Sequence, residues 1–173
     1  MVSQTKKMMT YSNCQTRNHP LAIKYNSKIL ELLNELLINE GAKKEYFNDE
    51  IVLNIDKLEI IEKTKCASRC KTMDFCIGLS SSQMLLVEVK LNVSNPVNVG
   101  KKDLEDKIRY SKILLGEDIP IAREKVFIFN DRVLDHARRH ISRLFSNNPN
   151  LKIYTINEFR DLYFVNSVEP IIL

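Results

Sequence analysis

Apolar residues recur along this chain at two spacings, one typical of helices and one typical of strands. The helical spacing of three and four predicts helices over residues 27–41, 101–115 and 131–145. Alternation or a short fully apolar run predicts strands over residues 74–79, 84–91, 125–130 and 151–156. The mixture of helices and strands indicates an α/β fold in which a mixed central sheet is flanked by helices.

The beginning of the chain is less regular. Residues 1–20 are polar and without apolar periodicity, which predicts a polar N-terminal arm before a single domain over residues 21–173. Ser27 is a fair N-cap and Gly41 a good stop for the first helix. The pattern over residues 48–61 fits either a helix or a strand, and residues 58–61 favour a strand.

Charges interrupt the two runs that are predicted to form a β-hairpin around Ser80-Ser81-Ser82. Asp74 opens the first run, and Glu88 and Lys90 lie inside the second. Charges in an apolar strand are costly unless they are paired or bind a metal. Glu88 and Lys90, two residues apart, share one face, and Asp74 on the neighbouring strand can approach Glu88 across about 4.8 Å. Two such carboxylates suit Mg²⁺.

The order Asp74, thirteen residues, Glu88-Val89-Lys90 resembles the PD-(D/E)XK nuclease superfamily, which includes restriction enzymes and Holliday-junction resolvases. The resemblance covers residues 27–156 and implies a restriction-endonuclease-like three-layer core. It also implies that Asp74 and Glu88 bind Mg²⁺ or Mn²⁺ and that Lys90 assists catalysis. Many members carry a further Glu on the first helix, for which Glu31 is the best match and Glu35 the alternative.

The resemblance implies a metal-dependent nuclease that hydrolyses phosphodiester bonds, with DNA favoured over RNA. A domain of this size would cut a duplex as a homodimer, one copy per strand. One alternative is a catalytically inactive binding or interaction module of the same fold, for example in a defence, toxin-immunity or repair complex. Another is a purely structural ion pair within the sheet.

A second Glu-x-Lys occurs at Glu105-Asp106-Lys107, within the predicted helix 101–115. Because charged residues surround it, these side chains are expected to form a solvated helix face. The helix 131–145 segregates more clearly, and its polar side carries Arg132, His136, Arg139, His140 and Arg143. Such a stripe either follows nucleic-acid phosphates or is an ordinary solvated face. The predicted nucleic-acid contacts are Lys101, Lys102, Arg132, Arg139 and Arg143.

The remaining composition limits the classes of function. A net charge of +4 is compatible with nucleic acid without requiring it. No export signal and no apolar run of bilayer length is seen, so a cytoplasmic protein with reduced cysteines is expected. Cys66, Cys70 and Cys76 are the alternative zinc cluster, and His136 and His140 have a metal-capable spacing without the Glu of a metalloprotease motif.

Overall fold

The structure, a computed structural model, describes residues 9–63 and 70–164. Within this part of the chain it has seven helices and six strands, so the fold is α/β. The helices are α1 (Asn13–Arg17), α2 (Pro20–Lys24), α3 (Leu33–Asn39), α4 (Ile55–Glu62), α5 (Lys101–Leu115), α6 (Leu134–Leu144) and α7 (Ile156–Tyr163). The strands are β1 (Leu30–Leu32), β2 (Ile51–Asn54), β3 (Phe75–Gly78), β4 (Met84–Lys90), β5 (Ile121–Phe129) and β6 (Leu151–Tyr154).

The strands form one mixed sheet in the order β1-β2-β3-β4-β5-β6. The first four strands pair antiparallel, whereas β4, β5 and β6 pair parallel. Parallel neighbours need crossover connections, and α5 and α6 supply them. The predicted hairpin is confirmed, with Phe75 opposite Val87, and β4 lies inside the sheet between β3 and β5.

Side chains from the two faces of the sheet enter two different hydrophobic clusters. Leu85, Val87 and Val89 pack in the cluster that contains α3 and α7. Met84 and Leu86 pack in the cluster that contains α4, α5 and α6. Helices therefore cover both faces of β4, which explains why its sequence is apolar at nearly every position.

The predicted helix over residues 27–41 is wrong in its first half. Asn26 and Ser27 have positive φ angles of 50° and 63° and form a turn, after which residues 30–32 pair with β2 as an edge strand. Only Leu33–Asn39 is helical, and the predicted stop is confirmed because Gly41 has a φ of 110°. The spacing of leucines fitted a helix throughout, but pairing with β2 outweighed it in the first turn.

The ambiguous stretch after Asn48 contains both elements that were considered. Residues 51–54 form β2, and Asn54 then caps α4 by accepting a hydrogen bond from Lys57 N at 2.9 Å. The preference for a strand over residues 58–61 is therefore wrong. Leu58 points into the core while Ile60 stays 56% exposed, the arrangement of an amphipathic surface helix.

The polar segment before Leu21 is folded against the sheet from Met9 onward, instead of forming a loose arm. Ser12 N donates to Gly78 O at 2.8 Å, and Gly78 N donates to Thr16 Oγ1 at 2.9 Å. A Cβ on Gly78 would lie 2.6 Å from the backbone nitrogen of Thr16, so this close approach requires glycine. Residues 1–8 of the predicted arm lie outside the described residues.

The second half of the chain follows the prediction with shifted boundaries. α5 spans the predicted residues 101–115. Asn130, instead of Asp131, begins the next helical segment, where a 3₁₀ turn over Asp131–Val133 leads into α6. The strand over residues 151–154 is followed by α7, which Thr155 caps in a reciprocal pair of hydrogen bonds with Glu158.

Replacing Asn34 with alanine is expected to lower the free energy of unfolding by about 2–4 kcal/mol, because buried backbone groups lose their partners. Asn34 is 7% exposed; its Oδ1 accepts from Tyr46 N and Phe47 N at 3.0 and 2.9 Å, and its Nδ2 donates to Phe47 O at 2.5 Å. Urea denaturation measures the loss, with Asn39→Ala as the exposed control on the same helix. Equal stability of the two variants would contradict this role.

Candidate functional site

The predicted acids and lysine lie at two neighbouring strands. Asp74 immediately precedes β3, and Glu88 and Lys90 lie at the carboxyl end of β4. Extending the register from the Phe75–Val87 pair by one residue places Asp74 opposite Glu88. Glu88 has the same parity along β4 as Met84 and Leu86, so it faces the α4–α5–α6 side of the sheet. The sequence-based geometry is thus confirmed for Glu88 and Lys90, whose Oε1 and Nζ atoms are 2.6 Å apart.

Glu88 is the most buried acid of this cluster, at 1% exposure. One oxygen, Oε1, accepts from Lys90 Nζ at 2.6 Å and from Lys107 Nζ at 2.5 Å. The other oxygen, Oε2, makes no hydrogen bond with any described residue. A buried carboxylate oxygen without a donor is rare in folded proteins, and it indicates a place where a further cation or donor fits.

Lys107 belongs to the candidate site, so the expectation that residues 105–107 form only a solvated face is wrong for this lysine. It lies three residues after Leu104 and four before Ser111, both buried, which directs it to the inner side of α5. This spacing was a signal available in the sequence. Burial acts to lower the pKa of the Lys107 ammonium, but the Glu88 carboxylate outweighs it and holds that pKa above its ordinary value.

Asp74 forms the second acid of the site. Its Oδ2 accepts a hydrogen bond from Val89 N at 2.6 Å, which ties the residue to the strand that carries Glu88. Burial, followed by the Glu88 carboxylate, raises the pKa of the Asp74 carboxyl to about 8. Asp74 is therefore mostly protonated at neutral pH, and a bound cation would favour its ionised form.

Glu40, at the end of α3, is a third acid that the sequence analysis missed. Burial raises the pKa of its carboxyl, and Asp56 and Glu88 raise that pKa further, while Glu40 in turn raises the pKa of Asp74. Its carbonyl accepts from Asn92 Nδ2 at 3.2 Å, so the end of α3 is fastened just beyond β4. Its position next to the helix stop Gly41 was the only sequence signal.

Glu31 and Glu35 lie elsewhere. Glu31 is on the edge strand β1 instead of a helix, and two strands separate it from β4, a distance of roughly 14 Å at the usual strand spacing. Its carboxylate accepts from Asn54 Nδ2 at 2.6 Å and pairs with Lys57 Nζ at 3.3 Å. Glu35 is exposed on α3. Of these three acids, Glu40 is the one whose charge raises the pKa of Asp74.

A cleft of about 420 Å³ leads from this cluster to solvent. Asp74 and Lys107 lie in its wall, together with Asp56, Lys71 and Asp103. Lys71 Nζ and Asp103 Oδ1 form an ion pair at 2.7 Å across the cleft, and Asp56 accepts from Thr72 Oγ1 at 3.0 Å. The cleft is lined mainly by charged and polar side chains, and it lies beside the first turn of α5.

The predicted nucleic-acid contacts are all on the surface of α5, α6 and the turn between β5 and α6. Lys101 and Lys102 begin α5 and make exposed ion pairs with Glu105 and Asp106 at 3.9 and 2.8 Å. The three arginines of the predicted set are exposed: Arg132, Arg139 and Arg143. His140, in contrast, does not lie on the basic face: it is 9% exposed and its Nε2 is 2.9 Å from Val99 O.

The alternative metal clusters receive no support from the described residues. Cys76 is buried in the core, and burial raises the pKa of its thiol, whereas Cys70 lies at the cleft; Cys66 is outside the described residues. Among residues 9–63 and 70–164, no group of three or more His, Cys, Asp or Glu side chains is arranged to hold a metal ion. The acid pair therefore needs a contribution from solvent or substrate to complete a coordination shell.

No protein-family model, curated protein or solved structure matches this chain. In the part of the chain that the structure describes, none of the helices is both long enough and apolar enough to cross a membrane.

Proposed function

We propose that this protein is a metal-dependent nuclease with a restriction-endonuclease-like fold. One observation carries the proposal: the buried Glu88 presents an oxygen without a donor among the described residues, on the strand opposite Asp74. Asp74 is itself protonated near neutral pH because burial and Glu88 disfavour its charge. A protonated carboxyl group beside a carboxylate oxygen without a donor can exchange its proton for a cation that both groups then bind.

Asp74 and Glu88 would hold Mg²⁺ or Mn²⁺, since carboxylate oxygens are the ligands these ions prefer. Glu40 is a third carboxylate whose charge raises the pKa of Asp74, and it acts on the site electrostatically instead of as an assigned ligand. A divalent ion bound there would supply stabilisation of negative charge on phosphate and a more acidic water. The fit rests on the hard oxygen donors and the unpartnered Glu88 oxygen.

The two lysines act from the other side of Glu88. Lys90 is 19% and Lys107 16% exposed, and both ammonium groups lie on Oε1. Lys90, at the end of β4, is the residue proposed to stabilise charge that develops on the reacting phosphate. Lys107 is a positioning residue, because it holds the Glu88 carboxylate between α5 and the sheet.

The proposed substrate is nucleic acid, with DNA favoured over RNA. Lys101 and Lys102 begin the helix that borders the cleft, and the arginines of α6 extend the positive surface within the same helical layer. Such contacts neutralise phosphates without reading sequence. A homodimer is proposed on mechanistic grounds, because a duplex presents two strands to a single small site.

A second candidate function is a catalytically inactive module of the same fold that binds nucleic acid or a protein partner in a defence, toxin-immunity or repair complex. One observation favours it: Glu88 already has two ammonium partners on one oxygen, a self-contained ion cluster. Such clusters can be retained for structural specificity alone.

Cleavage assays separate the two candidates. Asp74→Ala and Lys90→Ala are each expected to reduce Mg²⁺- or Mn²⁺-dependent cutting of labelled duplex DNA by on the order of 10²–10³-fold, because each removes a group that stabilises charge at the reacting phosphate. Lys28→Ala is the control that matches Lys90→Ala in charge. Lys28 is exposed, and it is far in sequence from the residues that line the cleft. Undiminished cutting by both site variants would contradict the assignment. A wild-type protein that binds substrate but never cuts would support the inactive module.

A further inference from the structure

A second buried cation lies away from the candidate site, on β5. Lys125 is 7% exposed, and its Nζ donates to Ala122 O at 2.8 Å and to Arg123 O at 2.9 Å. An irregularity in the pairing of β4 with β5 explains this geometry. Met84 pairs with Ile121 and Leu86 pairs with Lys125, so a step of two residues along β4 corresponds to a step of four along β5. Because the ladder of backbone hydrogen bonds is interrupted there, the carbonyls of Ala122 and Arg123 accept hydrogen bonds from the Lys125 ammonium instead. An ammonium has three donors, so one remains available.

Three cations, Lys112, Arg123 and Lys125, outnumber the single acid that lines the same surface region, Glu105. In residues 9–63 and 70–164, no carboxylate forms an ion pair with Lys125, Lys112 or Arg123. Burial, with added repulsion from Lys112, lowers the pKa of the Lys125 ammonium to about 8. Of the other charges facing the region, Arg109 pairs with Asp106 at 3.0 Å, and Glu105 pairs with Lys101 at 3.9 Å. An anion is the group that would relieve this repulsion.

These cations border a groove of about 650 Å³ between α5, β5 and the loop that follows α6. We call it the α5–β5 groove; its charged side is formed by four cations, Arg109, Lys112, Arg123 and Lys125, and one acid, Glu105, and its apolar wall includes Ile113 and Phe145. Ile113 is 67% exposed, so its apolar side chain faces the groove and solvent instead of the core. The groove lies along the face of α5 that carries Glu105, Arg109 and Lys112, whereas Asp103 and Lys107 line the cleft beside Asp74.

We propose that the α5–β5 groove binds the phosphate of a nucleoside phosphate, with Lys125 at its floor and Lys112 and Arg123 at its rim. The apolar wall accommodates the base, because a flat ring gains by covering Ile113 and Phe145. The same chemistry is presented by a free nucleotide and by a nucleotide within a nucleic-acid strand. This binding needs no divalent metal and none of the residues assigned to cleavage.

Binding is tested on the full chain in the presence of EDTA, so that metal-dependent cleavage plays no part. The probes are inorganic phosphate, adenosine monophosphate and a short single-stranded DNA, titrated by calorimetry and by NMR of ¹³C-labelled lysine. We expect adenosine monophosphate to bind more tightly than inorganic phosphate, and the Lys125 pKa to rise on binding, because an anion favours the charged ammonium.

Lys112→Ala and Arg123→Ala are each expected to weaken binding of adenosine monophosphate about tenfold, the scale of one lost charge-assisted contact. Both residues are exposed, so the variants should fold, while Lys125→Met tests the floor directly. Lys28→Ala is the charge-matched control and should leave binding unchanged. Glu88→Gln, titrated below the temperature at which this less stable variant unfolds, should also leave the affinity unchanged, which separates this proposal from the proposed nuclease activity.

The two sources of phosphate are distinguished by affinity and salt dependence. Affinity for the DNA strand that exceeds that for adenosine monophosphate and falls steeply with salt would assign the groove to nucleic acid. Equal or weaker affinity for DNA would assign it to a free nucleotide. The proposal is overturned if none of the probes binds, if the Lys125 pKa does not move, or if Lys28→Ala weakens binding as much as Lys112→Ala.

Discussion

Replacing Glu88 with glutamine is expected to reduce metal-dependent cleavage by on the order of 10³-fold, because the substitution removes the charge that holds the proposed cation. The same change should lower the free energy of unfolding by about 3 kcal/mol, since the buried partner of two ammonium groups is neutralised. Lys90 and Lys107 are only 19% and 16% exposed, so water replaces their lost counter-charge poorly. Single-turnover cleavage and urea denaturation measure the two effects separately.

A double variant shows whether the loss of activity is merely a loss of stability. Glu88→Leu combined with Lys107→Met replaces one ion pair of the cluster with apolar side chains and leaves Lys90, which is 19% exposed, without its counter-charge. We expect this variant to recover part of the stability that Glu88→Gln loses, because Lys107 no longer needs a counter-charge, and to remain inactive. If the double variant cuts as well as the wild type, Glu88 has a structural role only and the nuclease proposal fails at this residue.

The second large effect is a dependence of metal affinity on pH. Burial and the Glu88 carboxylate raise the pKa of Asp74 to about 8, so an ion must displace a proton to bind below that pH. The apparent affinity for Mg²⁺ should increase roughly fiftyfold between pH 6 and pH 8 and level off above pH 8. Calorimetry in buffers of different ionisation enthalpy should detect the release of about one proton per ion near pH 7.

Asp74→Asn is the control for this effect, because an amide keeps an acceptor for Val89 N and cannot titrate. The steep pH dependence should disappear in this variant together with most of the affinity. A wild-type affinity that is constant from pH 6 to pH 8 would contradict the role of Asp74. Glu40, whose carboxyl pKa is also raised by burial, would leave a weaker residual slope.

The same proton affects the stability of the fold without metal. In the unfolded chain Asp74 ionises near its ordinary pKa of 3.8, whereas in the folded protein it stays protonated until about pH 8. The folded state therefore binds more protons within that window, and its free energy of unfolding decreases as the pH rises from about 4 to about 8. Asp74→Asn should flatten this decrease, and Mg²⁺ should stabilise the wild type more at pH 8 than at pH 6.

The local sequence pattern predicted an element correctly where its intrinsic preference and its packing in the fold favoured the same secondary structure. The run from Met84 to Lys90 is apolar on both faces, and it forms the central strand that helices cover on both sides. α5 begins and ends where its amphipathic spacing and Gly116 predict. The shared face of Glu88 and Lys90 followed from the alternation of side chains along a strand, which no tertiary contact can change.

Pairing between distant parts of the chain determined the secondary structure around Glu31. Leucines at helical spacing could have continued the first helix back to Ser27, but residues 30–32 gain a ladder with β2 instead. This change removed Glu31 from the helix and left Glu40, at the opposite end of α3, as the acid that acts on the pKa of Asp74. Edge-strand pairing depends on residues some twenty positions away, beyond the reach of a local pattern.

By itself the sequence determined a mixed α/β architecture, the hairpin, and the place where two acids and a lysine interrupt apolar strands. The tertiary structure decided which residues surround that place: Lys107 arrives from α5, Glu40 from the end of α3, and Glu88 keeps one oxygen without a donor among the described residues. The reason is physical. Periodicity states which face of an element is buried, whereas the partners of a buried charge are set by how separate elements pack against one another.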